Sequence, residues 1–138
     1  ALEADEPSKS ICGECEKCID ACPTKAIEEP FIVNSNKCLA YHTLENREKE
    51  LPTYITSKMG TWIAGCDICQ DVCPWNKKNI PSTLEPDLQP SEWILKINKK
   101  DALSWSDSTW KEHLNKSALK RIKPWMWRRN INSISTNP

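Results

Sequence analysis

Cysteine spacing constrains this chain more than any other feature. The first run is Cys12-x2-Cys15-x2-Cys18-x3-Cys22-Pro23, the second is Cys66-x2-Cys69-x3-Cys73-Pro74, and Cys38 stands between them. Together they account for all eight cysteines in 138 residues. A disulfide scaffold belongs to small secreted proteins, and no secretory signal is visible here. Zinc sites pair C-x2-C knuckles, usually a dozen or more residues apart. Three cysteines at intervals of three, a fourth one helical turn later and then a proline form the spacing of two-cluster [4Fe–4S] ferredoxins. An iron–sulfur reading is therefore favoured, with zinc as the runner-up.

The spacing also predicts which cysteines belong together. Three ligands from one tight loop wrap three corners of a cubane, and the fourth corner is reached from elsewhere in the chain. The cysteine before each proline is aimed at the other cluster. Cys12, Cys15, Cys18 and Cys73 are thus assigned to cluster 1, and Cys66, Cys69 and Cys22 to cluster 2. An uninterrupted second run would place the last ligand at position 63, which is Ile63, so Cys38 closes the second site.

The expected fold class is α+β: a bacterial-ferredoxin-like two-cluster domain over 12–80, followed by a linker and a short α-helical region over 81–138. Residues 1–11 read as a linker from a preceding domain. With only three Gly, one Phe and seven Trp, the aliphatic core is thin and a metallic staple is expected. Residues 26–28 and 31–33 suggest a small hairpin around Pro30, and Asn34-Ser35-Asn36 a turn that delivers Cys38. The charged stretch Glu45–Glu50 is expected to be exposed. Pro52 can start a helix that Gly60 stops, and Trp62-Ile63-Ala64-Gly65 reads as strand-like, with Gly65 allowing a close approach. Further on, Ser91 and Asp101 are candidate helix caps, and Pro124 should kink or split a terminal helix. No run is apolar enough to span a membrane.

Formal net charge is zero, yet Lys111, Lys116, Lys120, Arg121, Lys123, Arg128 and Arg129 face Glu112 alone in the last 28 residues, a net of +6. Two readings stay open for this tail. One is a helix packed on the cluster domain with its charges in water, and the other is a footprint for RNA phosphates. Because eight cysteines fill eight corners, His42 is expected on the surface or facing a partner. His113 is expected to be solvated.

The stretches Cys12–Ile27, Lys37–Glu45 and Gly65-Cys66-Asp67-Ile68-Cys69-Gln70-Asp71-Val72-Cys73-Pro74-Trp75-Asn76 together resemble the epoxyqueuosine reductases. Ser117–Arg121 and Arg128-Arg129-Asn130 extend the resemblance into the helical tail. It implies an oxidoreductase that reduces epoxyqueuosine to queuosine in tRNA, using cobalamin and two [4Fe–4S] clusters. The cobalamin-cradling domain would precede Ala1, so no catalytic residue is expected in this chain. The resemblance places Thr43, Glu45, Gly65, Cys66 and Asp67 near cobalamin and substrate. It suggests Lys120, Arg121, Arg128 and Arg129 as tRNA contacts. Implied partners are tRNA carrying epoxyqueuosine and an external electron donor, for a cytoplasmic, monomeric protein without membrane contact. The alternatives are a free-standing two-cluster electron carrier and a cobalamin-dependent dehalogenase relative.

Overall fold

The computed structural model describes residues 3–7, 10–77, 81–115 and 117–134. Lys116, residue 80 at the expected domain boundary, and residues 1, 2, 8 and 9 of the expected linker lie outside them.

Each cysteine run folds as a turn followed by a short helix. Gly13 takes a positive φ between Cys12 and Glu14, and α1 (Lys17–Ala21) then carries Cys18 towards Cys22. Pro23 follows where the helix stops, since it cannot donate to the preceding turn. Strands β1 (Ile27–Glu29) and β2 (Ile32–Val33) pair antiparallel, with Ile27 opposite Val33 and Glu29 opposite Ile32. The turn holds Phe31 at φ 68° with 77% of its surface exposed, an uncommon conformation for a bulky residue. A single 3-10 turn, Ser35–Lys37, is capped by Asn34, whose side chain accepts the Asn36 amide at 3.1 Å. That turn leads into Cys38 at the N-terminus of α2 (Leu39–Leu44).

The segment between Cys38 and Cys66 folds back on itself. Helix α3 (Thr53–Thr56) starts after Pro52. Leu39, Leu51, Ile55 and Met59 bury against Ile134 and Ile63. Gly65 takes a φ of 76°, a conformation that favours glycine. Two expectations change here. Trp62–Gly65 forms bends rather than a strand. Within Glu45–Glu50, Asn46 is buried, since its amide serves His42 and its side-chain oxygen accepts the Glu48 amide.

The second run continues through α4 (Ile68–Asp71), which packs beside α1, and a 3-10 turn over Pro74–Lys77. Exposed residues 81–90, with a turn at Pro86–Leu88, precede α5 (Glu92–Lys96), α6 (Lys99–Ser104) and α7 (Asp107–Leu114). Ser91 sits at the N-cap of α5 without a side-chain bond, and Asn98, not Asp101, caps α6 by accepting the Asp101 amide at 3.0 Å. The tail ends with a turn at Ala118–Arg121 and α8 (Pro124–Ser133). Pro124 opens α8, where its missing N–H costs nothing.

The main core lies here. Ala102, Trp110, Leu114, Ile122, Met126, Trp127 and Ile131 are buried together. Trp105 stacks on Trp127 and on His113, whose ring centroid is 4.6 Å away. His113 is therefore half-buried in an aromatic stack, contrary to the solvated expectation. The architecture is α+β, with one two-stranded sheet and eight short α-helices among the described residues. No helix among them is long and apolar enough to cross a membrane.

Candidate metal centre

Packing α1 against α4 places the two cysteine runs side by side. Cys12, Cys15, Cys18, Cys69 and Cys73 border one cavity of about 310 Å³, walled by Ile19, Phe31 and Trp75. Cys22, Cys38, Cys66 and Cys69 border a second, of about 240 Å³, walled by Ala26, Leu39 and Ile68. The grouping is crossed: the last cysteine of each run faces the cavity of the other run. Cys69 borders both.

The donor set matches an iron–sulfur cluster better than a single ion. Among the described residues no three His, Cys, Asp or Glu side chains converge as ligands of one metal ion would. Instead four or five thiols stand around a space large enough for a multi-atom group, and thiolates are the soft donors that such clusters take. None of the eight cysteines is joined in a disulfide.

The local electrostatics differ between the two runs. Burial pushes the Cys22 thiol up, but the Ala26 amide at 3.2 Å, the Thr24 hydroxyl and further amides outweigh it and hold it below its ordinary value. Burial raises the Cys66 thiol, opposed by the Ile68 amide and reinforced by Cys69, Cys38 and Cys22. The last three effects are a mark of closeness, since each nearby thiolate disfavours another negative charge.

The residues expected beside cobalamin lie at the end of α2 and on either side of Cys66. Thr43 is fully buried, and its hydroxyl donates to the Leu39 carbonyl at 2.8 Å and accepts the Gly65 amide at 3.0 Å. Glu45 is paired with Arg121 at 2.9 Å. Asp67 is exposed and borders the second cavity beside Cys66, while Gly65 is half-buried. Thr43 and Glu45 are thus engaged within the chain, and Asp67 faces the second cavity.

Two further expectations are corrected. His42 is only 4% exposed and faces no partner. Its Nδ1 accepts from the Asn46 amide at 2.9 Å, which makes Nε2 the donor to the Asn36 carbonyl at 2.7 Å. Arg129 is 9% exposed, and its guanidinium bonds to backbone carbonyls and to Asn130, so it is not available to a phosphate. Of the other basic residues named for RNA, Arg128 binds Asp107 and the Trp105 carbonyl, Arg121 is exposed but paired with Glu45, and Lys120 is exposed. Lys111 and Lys123, counted in the basic tail but not among the four named tRNA contacts, join them with Trp110 and Asn115 around a groove of about 520 Å³. Their shared excess of positive charge was the available signal.

Residues 11–76 match a family described as a 4Fe-4S double cluster binding domain. An epoxyqueuosine reductase of Prochlorococcus marinus (strain NATL2A) is 81% identical over 134 residues, covering 97% of this chain and 43% of that protein. Over the part they share, the chain is similar to the epoxyqueuosine reductases. A solved selenomethionine-labelled epoxyqueuosine reductase superposes with a TM-score of 0.84 at 34% identity, covering 95% of this chain and 34% of that one. An epoxyqueuosine reductase solved with a tRNA-Tyr epoxyqueuosine-modified stem loop gives 0.83 at 34% identity, covering 96% and 34%. The chain therefore spans less than half the length of the epoxyqueuosine reductases it matches.

Proposed function

We propose that this chain is the electron-transfer part of an epoxyqueuosine reductase, supplying electrons for the cobalamin-dependent reduction of epoxyqueuosine to queuosine in tRNA. The observation that carries the proposal is the pair of cysteine-bordered cavities sharing Cys69. Cys12, Cys15, Cys18 and Cys73 would hold one [4Fe–4S] cluster, and Cys22, Cys38, Cys66 and Cys69 the other. The clusters supply one-electron chemistry when bound. The protein's part is to keep them adjacent, to supply thiolates, and to aim N–H groups at sulfur, as the Ala26 amide does at Cys22. The ligand domain over 12–80 and the helical region over 81–138 form the corresponding division of labour.

The helical region offers a surface for the tRNA backbone. Lys111, Lys120, Arg121 and Lys123 share one groove, and phosphate contacts of this kind position a nucleic acid without reading its sequence. Arg129 takes no part in it.

Anaerobic analysis for iron, sulfide and zinc tests the metal assignment. About eight irons per chain are expected for two [4Fe–4S] clusters, and stoichiometric zinc without iron would refute it. For the groove, tRNA binding by a Lys111/Lys120/Lys123→Glu variant should weaken and its salt dependence flatten by about one unit of slope per lysine. Unchanged affinity and slope would reject the groove as the RNA surface.

A further inference from the structure

One end of α8 grips both arms of the segment that joins Cys38 to Cys66. The Arg129 Nε donates to Asn130 Oδ1 at 3.1 Å, Nη1 to the Asn46 and Glu48 carbonyls at 2.9 and 2.5 Å, and Nη2 to the His42 carbonyl at 3.0 Å and Asn130 Oδ1 at 2.9 Å. The guanidinium thus makes five hydrogen bonds to four acceptor atoms, with Asn130 Oδ1 accepting twice. Asn130, fully buried, donates through Nδ2 to the Thr43 carbonyl at 2.8 Å and to the Ile63 carbonyl at 2.9 Å. A buried guanidinium is costly unless every donor is matched. Packing alone would be served by an apolar side chain.

The location of these carbonyls matters. His42 and Thr43 lie in α2, the helix that begins beside Cys38. Ile63 lies three residues before Cys66, and the Thr43 hydroxyl also accepts the amide of Gly65, immediately next to Cys66. Two cysteines of the second cavity are therefore held by one polar clasp. Cys12, Cys15, Cys18 and Cys73, around the first, sit on α1, at the end of α4 and on flanking turns, outside that grip.

We propose that Arg129 and Asn130 are positioning residues for the second cluster site, fixing the separation of Cys38 and Cys66 and thereby the reduction potential of the cluster held there. The inference rests on the cluster assignment proposed above. Ligand orientation and outer hydrogen bonding are the means by which a protein tunes such a potential.

The test is an EPR-monitored redox titration of the full chain with both clusters reconstituted. The signals are assigned with Cys15→Ser for the first cluster and Cys66→Ser for the second. Asn130→Ala and Arg129→Lys should change the reduction equilibrium of the second cluster about tenfold, which is about 59 mV for one electron, and leave the first unmoved. Arg128→Ala, on the same helix but bonded to Asp107 and Trp105, should move neither. If a variant loses metal, the second cluster's signal should go first, leaving about four irons per chain. Parallel shifts or parallel loss of both clusters, or no shift in either, overturns the inference while leaving the assignment intact. A wild-type chain that holds zinc instead of iron overturns both.

Discussion

The helical tail and the cysteine-bearing region solve the problem of an interior in different ways. From Ala102 to Ile131 the tail buries two tryptophans, aliphatic side chains and a methionine in one cluster, and the Trp127 indole donates to the Ala102 carbonyl at 3.1 Å. In the first cysteine run and its hairpin, residues 12–33, Ala26 is the buried hydrophobic residue, while Phe31, Ile32 and Val33 are exposed. Where the tail has side chains at its centre, the cysteine region has two cavities ringed by thiols. One part is held by the hydrophobic effect, and the other has its centre reserved for inorganic groups. The clasp from Arg129 and Asn130 joins the two.

The strongest way to break this comparison is to remove the metal. Anaerobic chelation should abolish amide-exchange protection across residues 12–33 and 66–77 and preserve it in α7 and α8; equal loss in both regions would mean that the tail depends on metal too. A smaller effect runs the other way. Leu114→Ala, at a fully buried site in the tail core, should cost about 2–5 kcal/mol. In denaturant, tryptophan fluorescence should shift its midpoint while the cluster absorbance transition moves less, and coincident shifts would make the two regions one cooperative unit.

A third substitution probes the seam. Thr43→Val keeps the shape but leaves the half-buried Gly65 amide without its acceptor, for a cost of about 1 kcal/mol, read by thermal unfolding. A variant as stable as wild type would show that the bond contributes nothing. The smallest effect concerns the exposed hairpin. The hydrogen bond from Lys37, then that from Asn34, holds the Glu28 carboxyl below its ordinary range. A depressed carboxyl stabilises the fold above its unfolded pKa, and that contribution fades as pH falls through its folded value. Glu28→Gln should therefore be slightly less stable at neutral pH, with the difference vanishing in acid. A difference that grows on acidification would reverse the sign.

The parts of the molecule that were legible in its sequence are those whose signals are local. The hairpin around Pro30, the turn before Cys38 and the split of the terminal helical stretch at Pro124 follow from φ restrictions and short-range spacing. The crossed placement of Cys22 and Cys73 follows from the interval between ligand and proline. The errors have a common cause. His42, Asn46 and Arg129 carry polar side chains, and polar side chains read as surface. Their partners are backbone carbonyls and each other, brought together across 83 residues between Asn46 and Arg129, and no residue type advertises a carbonyl. Trp62–Gly65 looked like a strand because it is apolar. It lacks a neighbouring strand to pair with among the described residues, and its Ile63 carbonyl is taken by Asn130.

The crossing of the two runs also sets an order of events during synthesis. The first run leaves the ribosome with Cys12, Cys15 and Cys18 in place, but the cysteine that faces the same cavity across the fold is Cys73, 55 residues after Cys18. At roughly 5–20 residues per second, that is an interval of roughly 3–11 s. Throughout it, the first three thiols stand as an open half-site. Cys22, meanwhile, waits for Cys38, Cys66 and Cys69. Both sites can close only within the last few residues of the second run, so a nascent chain stalled before Cys69 would hold neither, however much iron and sulfide it met.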